Sequence, residues 1–583
     1  MSILRLFSVI SLVILAACAT APEQTGVPKA AEKSLGLTKP LSKSEHKEDK
    51  TSIDPDVLFM LMTAEIAGQR GQYDVALEGY LEAAKRVHDP RLTERAAMIA
   101  MYMKDGNKTN EAVSLWLKQD PKNLSARKIA ALSALKSENK QQSVEQLDGL
   151  LKQDPAGFEK TLFELAGALQ KDGSVPFIYE VMETLSVKHP DQASIFFIQS
   201  LLAADMKNKE LAERKIERAL KLQPDLDKAL ILQAQMAVYA EDFNRAETLL
   251  RNAVAKYPDN QKFKKLLAQV LIKAAKYNEA GEVYETLVSN DPKDYESLFS
   301  LGLVHLQLDH DSKAEDIFKQ LLGQAEWRNQ ANFYLGKIEE KRDNTANALA
   351  WFDKVTDGPF QFEAAVTGIS LLAKDKQYDK AEQRLKALPS RFPKQKLRIV
   401  LIQAELYSQQ KQQEKAYNYL TGELKNYPDQ EELLYSRALI ADRMGKLDVM
   451  EADLQKILAK VPDNVEALNA LGYSLADKTT RYAEAETYLH HALRIKPEEA
   501  VILDSYGWLK YKMGNYQAAL DYLQKAYDKQ PENEIAAHLA EVLWVSGKKE
   551  EAQKLIMDAL GNAPDDPYLL GFKNKFLKSD SSK

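Results

Sequence analysis

One cysteine, Cys18, stands in 583 residues, so no intramolecular disulfide can form and no cysteine cluster can hold a metal. Histidine is scarce as well. Of eight, only His490 and His491 are adjacent, and neighbours on a helix point about 100° apart instead of stacking as i and i+4 do. That pair makes no chelating face, and no metal site is expected. Charge of one sign is missing too: 79 Lys and Arg against 85 Asp and Glu give a net charge of −6. The two signs are interspersed except in the short stretch from Lys43 to Lys50, which excludes the basic face of a nucleic-acid binder. There is no Gly-rich phosphate loop, no H-E-x-x-H and no G-x-S-x-G. Carboxylates at this density on helix surfaces are solvated. These absences point away from an enzyme, a cofactor or a small-molecule substrate. The one early apolar run, Leu6 to Leu15, is shorter than the roughly 20 residues a membrane span needs.

What is present is a period. From Ala500 to Pro531 the chain reads AVILDSYGWLKYKMGNYQAALDYLQKAYDKQP. Leu503, Tyr506 and Gly507 belong to one helical pattern, and Tyr516, Ala519, Leu523 and Ala526 to a second, with the turn Met513-Gly514-Asn515 between them. Gly507 and Ala519 are small where two helices must approach. Pro531 ends the second helix because it lacks an N–H and disfavours helix in the residue before it. Such prolines recur at 121, 155, 190, 224, 258 and 292, then at 359, 393, 428, 462, 497 and 531. Each step is 34 or 35 residues, except one double step of 67, in which Gly302, Ala314 and Phe318 keep the phase.

This order of large, small, turn, small, large and proline resembles the 34-residue tetratricopeptide repeat. The resemblance implies an all-α, right-handed superhelical solenoid of about fifteen helix-turn-helix units, needing no single large core. The expected divisions are a signal peptide over 1–17, a lipidated Cys18 with a tether over 18–53, the solenoid over 54–564 and a closing helix with a frayed tail over 565–583. Gly71, Tyr73, Ala76 and Tyr80 put the first unit in phase, whereas the units at 122–190 are degenerate, with Gly157 and Pro176 out of pattern. Pro258-Asp259-Asn260 and Pro462-Asp463-Asn464 offer N-caps for the helices that follow. One extra residue between Asp477 and Tyr482 is expected to lengthen the turn there.

Leu15-Ala16-Ala17-Cys18 resembles the lipobox of bacterial lipoproteins. Its presence implies cleavage before Cys18 and acylation of that cysteine; the alternative is a secretory signal that leaves a free thiol. Each buried methylene contributes roughly 0.8 kcal/mol, and several acyl chains together anchor a protein where one alone is marginal. Ala19 follows where inner-membrane retention in that class takes Asp, so the implied destination is the periplasmic face of an outer membrane. Residues 19–52 carry three prolines, many Lys, Glu and Ser, and no aromatic ring, the composition of a solvated tether or of a tail that orders on a partner.

In tetratricopeptide arrays the first helix of each unit lines the groove where partners lie. Carried over, that geometry puts Asn469, Tyr473, Asp504, Trp508, Tyr511, Glu541 and Trp544 on the inner wall of the last units. Aromatic anchors beside carboxylates suit a protein surface; the competing role for Trp508 and Trp544 is packing between adjacent units. The Lys/Asn clamp with which some relatives hold a peptide C-terminus is unmatched, and Asp504 and Glu541 would repel such a carboxylate. The stretches LNALGYSLADKTTRYAEAETYLHHAL, ILDSYGWLKYKMGNYQAALDYL and EIAAHLAEVLWVSGKKEEA, within Leu468 to Ala552, are similar to a proteobacterial family of outer-membrane tetratricopeptide lipoproteins. That resemblance implies an adaptor that brings a periplasmic carboxy-terminal processing protease to substrates such as murein hydrolases. The alternative is a structural scaffold for envelope assembly or polysaccharide export.

Overall fold

The structure, a computed structural model, describes residues 54–169 and 175–577. The expected signal peptide, the Cys18 acylation site, the tether up to 53 and the frayed end from Ser579 lie outside the described residues. Among the described residues there are thirty-one α-helices and no strand. Thirty of the helices pair in sequence as fifteen hairpins, from Pro55–Gln69 with Tyr73–Arg86 to Asn533–Val545 with Lys549–Asn562. The chain adopts the all-α tetratricopeptide solenoid fold, and the degenerate stretch is helical like the rest: Leu124–Lys136, Lys140–Gln153, Phe158–Leu169 and Val175–Lys188. Pro176 costs nothing in the first turn of its helix, where the missing N–H has no intrahelical acceptor.

The hairpin Ala500–Lys512 with Tyr516–Lys529 shows why the pattern folds this way. Ala519, Leu523 and Ala526 form the fully buried stripe of the second helix. Leu523 lies directly over Gly507: a Cβ built there would sit 2.8 Å from Leu523 Cγ and 3.2 Å from the Leu523 backbone nitrogen. The turn is closed by a Schellman pair, with Gly514 N–H donating to Tyr511 O and Asn515 N–H to Lys510 O, each at 2.9 Å. Gly514 takes φ +81°, the left-handed conformation the motif requires. Asn515 then caps the next helix by accepting from the Ala518 N–H. Three residues thus end one helix and begin another.

The same left-handed turn recurs along the chain on residues that carry a Cβ, including Lys104, Glu138, Glu241, Ala275, Asp309 and Lys411. Tertiary packing outweighs their local cost of about 1–2 kcal/mol each. One hairpin departs from it. The extra residue near Asp477 does not enlarge the turn, as expected from sequence, but extends the first helix to Val465–Lys478. Thr479 follows in an extended conformation (φ −136°), and its hydroxyl donates back to Leu475 O. An added helical residue satisfies its own backbone, which an added loop residue would leave to solvent.

The helices divide into two compact units, with the boundary between Ile317 and Phe318. In the first, the apolar cluster of the opening hairpins includes Leu81, Ile99 and Trp116, and a second cluster gathers Phe158, Met182, Leu185 and Ile195. In the second unit, Leu420, Leu454, Leu471 and Leu489 run through one continuous cluster. Consecutive hairpins are also joined by ion pairs one repeat apart, among them Glu78–Lys108, Glu213–Arg245 and Glu451–Arg481. No described helix is long and apolar enough to cross a membrane.

Candidate functional site

Within the second unit, the first helices Val465–Lys478, Ala500–Lys512 and Asn533–Val545 pack in succession, and the last also packs on Pro567–Phe572. Their facing side chains form one connected cluster. His538 Nδ1 lies 3.0 and 3.1 Å from the two carboxylate oxygens of Asp504. Its ring stacks on the Trp508 indole, with centroids 4.1 Å apart and planes 24° from parallel. Its Nε2 is 3.4 Å from the Tyr473 hydroxyl. The Trp508 indole N–H donates to Asp477 Oδ1 at 3.0 Å, and Lys512 Nζ lies 3.1 Å from the same oxygen. Asp504 is 6 % exposed, Trp508 7 % and His538 7 %, so this is interior polarity, tolerable because each group has a partner.

The electrostatics follow from that burial. Desolvation works against a cationic His538, but Asp504, with Glu534 and Asp477 behind it, outweighs the loss and raises its pKa above the ordinary histidine value. Burial, reinforced by Asp504, raises Glu534, which His538 opposes. Partial desolvation and the neighbouring Glu534, to which it is bonded, push Tyr568 up to about 12. Burial also pushes the Asp477 carboxyl upward, yet the Trp508 N–H and Lys512 prevail and hold it below the usual carboxylate range.

Two further contacts extend the face. The Tyr511 hydroxyl donates to Glu541 Oε1 at 3.1 Å, and Lys575 reaches that oxygen at 2.7 Å. Trp544 packs edge-on against Phe572 at 6.0 Å and lies 5.8 Å from Phe576, with Lys549 Nζ 4.9 Å above its ring. Of the seven residues picked out by sequence, Tyr473, Asp504 and Trp508 meet around His538. Tyr511 joins them through its ring, 5.0 Å from Trp508, and brings in Glu541. Trp544 belongs to the C-terminal aromatic contact, and Asn469, half-buried on Val465–Lys478, makes none of these contacts. Sequence reasoning missed His538, Asp477, Glu534, Lys512, Lys549 and Lys575. The signal was there: His538 follows Asp504 by 34 residues and Lys575 follows Glu541 by 34.

The order Asp504–His538–Tyr473 has the form of a proton relay, but burial first, and then Glu534, Asp477 and Asp504, raise the pKa of the Tyr473 phenol. A phenol held so firmly protonated at the end of the chain offers no nucleophile.

Stacked helical hairpins whose first helices carry such a face define a protein-interaction scaffold, a class that is typically non-catalytic. Two tetratricopeptide-repeat family models match the chain, one over residues 237–302 and again over 510–576, the other over 435–500. A TPR repeat-containing protein of Pseudomonas aeruginosa is 38% identical over 524 residues, covering 84% of this chain and 83% of the relative. The chain belongs to the tetratricopeptide-repeat family. Among solved structures it is similar to Naa15/Naa10 bound to HypK-THB, with TM-score 0.36, 14% identity, and coverage of 86% of this chain and 94% of that one. It is also similar to a thermophilic TPR protein of Thermus thermophilus, with TM-score 0.29, 22% identity, and coverage of 30% of this chain and 97% of that one.

Proposed function

We propose that this protein is a membrane-anchored adaptor that gathers a periplasmic carboxy-terminal processing protease and its substrates, murein hydrolases among them, at the periplasmic face of the outer membrane. The observation that carries the reading is the half-buried face of Tyr473, Tyr511 and Glu541 on successive first helices of a tetratricopeptide array, with Trp508 packed between adjacent units beneath it. Aromatic side chains with a polar edge supply contact area at low entropic cost, which is what protein recognition uses. The sequence LAAC at residues 15–18 supports the anchor, and the C-terminal repeat pattern supports the choice of partner. Two proteins held on one array meet at an effective concentration in the mM range, so each separate contact can be weak.

The test is a crosslinking pull-down of the acylated protein from solubilised membranes, read by mass spectrometry, together with the hydrolase level in cells lacking the gene. Recovery of protease and hydrolase, with a raised hydrolase level on deletion, supports the adaptor. An unchanged hydrolase level sinks it, and stable export or assembly subunits in its place make the protein a structural scaffold. Replacing Cys18 with Ser is expected to move the chain from the membrane to the soluble envelope fraction; persistence in the membrane refutes the acyl anchor.

A further inference from the structure

Most charged pairs in the chain are at least partly open to water, where their contribution is small. The His538–Asp504 pair is not. It joins Asn533–Val545 to Ala500–Lys512 from inside, beneath the Trp508 ring. The groups that face it come from every neighbouring first helix. Val465–Lys478 brings Tyr473 and Asp477, the latter paired with Lys512; Ala500–Lys512 brings Asp504. Its own helix brings Glu534, which is bonded to Tyr568 of Pro567–Phe572. The second helices Tyr516–Lys529 and Lys549–Asn562 contribute Ala519, Leu523, Ala552 and Ile556 to the apolar cluster there. Carboxylates outnumber cations in this interior.

We propose that protonation of His538 is a switch that sets the packing of the last first helices, holding the face of Trp508 and Tyr511 in one form while His538 is cationic and releasing it when His538 is neutral. Loss of the proton leaves Asp504 and Glu534 close together in low dielectric without their shared counter-charge, a costly arrangement. It also removes the cation from the indole face, where attraction to the ring quadrupole favours the stacked geometry. The least costly relief is for Asn533–Val545 to shift and admit water to Asp504, which moves Trp508 with it. This is regulation of the face assigned above to protein binding, and it rests on that reading only for its effect on partners.

The switch is tested on the full-length protein without any partner. A cationic imidazole in ring contact quenches indole emission, so tryptophan fluorescence from about pH 5 to about pH 9 is expected to rise in one step. Its midpoint lies above the ordinary histidine value. The step is lost in His538→Gln, which keeps a donor for Asp504 but cannot be charged, and in Trp508→Phe. A flat wild-type profile, or a step that survives in His538→Gln, overturns the proposal. Should either variant fail to fold, wild-type hydrogen exchange decides. Corrected for intrinsic rate, amides of Asn533–Val545 are expected to lose protection over the same range while those of Gln261–Lys273 do not; equal behaviour of the two helices overturns it. A failed pull-down leaves this result standing, and a failed titration leaves the adaptor standing.

Discussion

Leu523 packs directly over Gly507, and the pair can be tested as a unit. A methyl added at Gly507 would come within 2.8 Å of Leu523 Cγ, 3.2 Å of Cδ2 and 3.2 Å of a backbone nitrogen that cannot yield. Two effects oppose each other in Gly507→Ala. Helix propensity favours alanine by about 1 kcal/mol, whereas overpacking costs about 1–3 kcal/mol. The net is a loss of about 0–2 kcal/mol. Leu523→Ala alone empties a fully buried site and costs about 2–5 kcal/mol. In the double variant the Cγ and Cδ2 contacts are gone, so the added methyl fills part of the cavity and its propensity gain is realised. The two changes therefore do not add, and the coupling is about 1–3 kcal/mol, roughly 5- to 150-fold in an equilibrium. Stability in a repeat array is a sum of local and nearest-neighbour terms, so global melting would dilute the effect. The assay is hydrogen exchange of the amides in Ala500–Lys512 and Tyr516–Lys529 for wild type, both singles and the double. Additivity within about 0.5 kcal/mol would refute the reasoning, as would a Gly507→Ala single more protected than wild type.

Three other outcomes are expected. Arg437 clasps Asp453 with two hydrogen bonds of 2.8 and 2.7 Å, and Asp453 is 3 % exposed. Asp453→Ala strands the guanidinium and should cost about 3–5 kcal/mol in local exchange protection, most of it recovered when Arg437→Met is added. Gly514→Ala meets no atom within 4 Å, yet its φ of +81° makes it lose about 1 kcal/mol or more, read as lost hydrogen-exchange protection in Ala500–Lys512 and Tyr516–Lys529; a neutral result would show that the turn can relax. Phe572→Ala removes a buried ring that covers Trp544 at the end of the array, and should weaken the last hairpin by about 3–5 kcal/mol, read as lost protection in Lys549–Asn562.

The hairpins were legible because each is specified locally. Small residues such as Gly507 and Ala519 mark where helices cross, Asn260 and Asn464 mark where helices start, and proline marks where they stop. What stayed hidden was decided by neighbours. Ala275 and Glu241 carry nothing that announces a left-handed φ; they adopt it because the helices on either side are already fixed by packing. The added residue near Asp477 became helix for a similar reason, since Lys478 gains Asp442 on the preceding first helix as an ion-pair partner.

The polar cluster was missed because its members were sought one helix at a time, while its bonds run between repeats. Such bonds have a register of their own. Second helices pair at slightly less than one period: Glu78–Lys108 at 30 residues, Glu183–Lys215 at 32, Glu213–Arg245 at 32 and Glu451–Arg481 at 30. First helices pair over a wider range: Glu65–Arg95 at 30 and Lys265–Glu296 at 31, but Glu363–Arg398 at 35, Asp442–Lys478 at 36, Asp477–Lys512 at 35, Asp504–His538 at 34 and Glu541–Lys575 at 34. The spread of up to six residues amounts to nearly two turns of helix. It reflects how paired positions are staggered along neighbouring helices, compounded by the N-terminal lean of helical side chains. Of the pairs above, those separated by 34 to 36 residues all join first helices, whereas separations of 30 to 32 occur in both layers. Their spacing of 34 residues makes Asp504 and His538 candidates for such a pair. In this pair the repeat period places a histidine of one first helix against a carboxylate of the one before it.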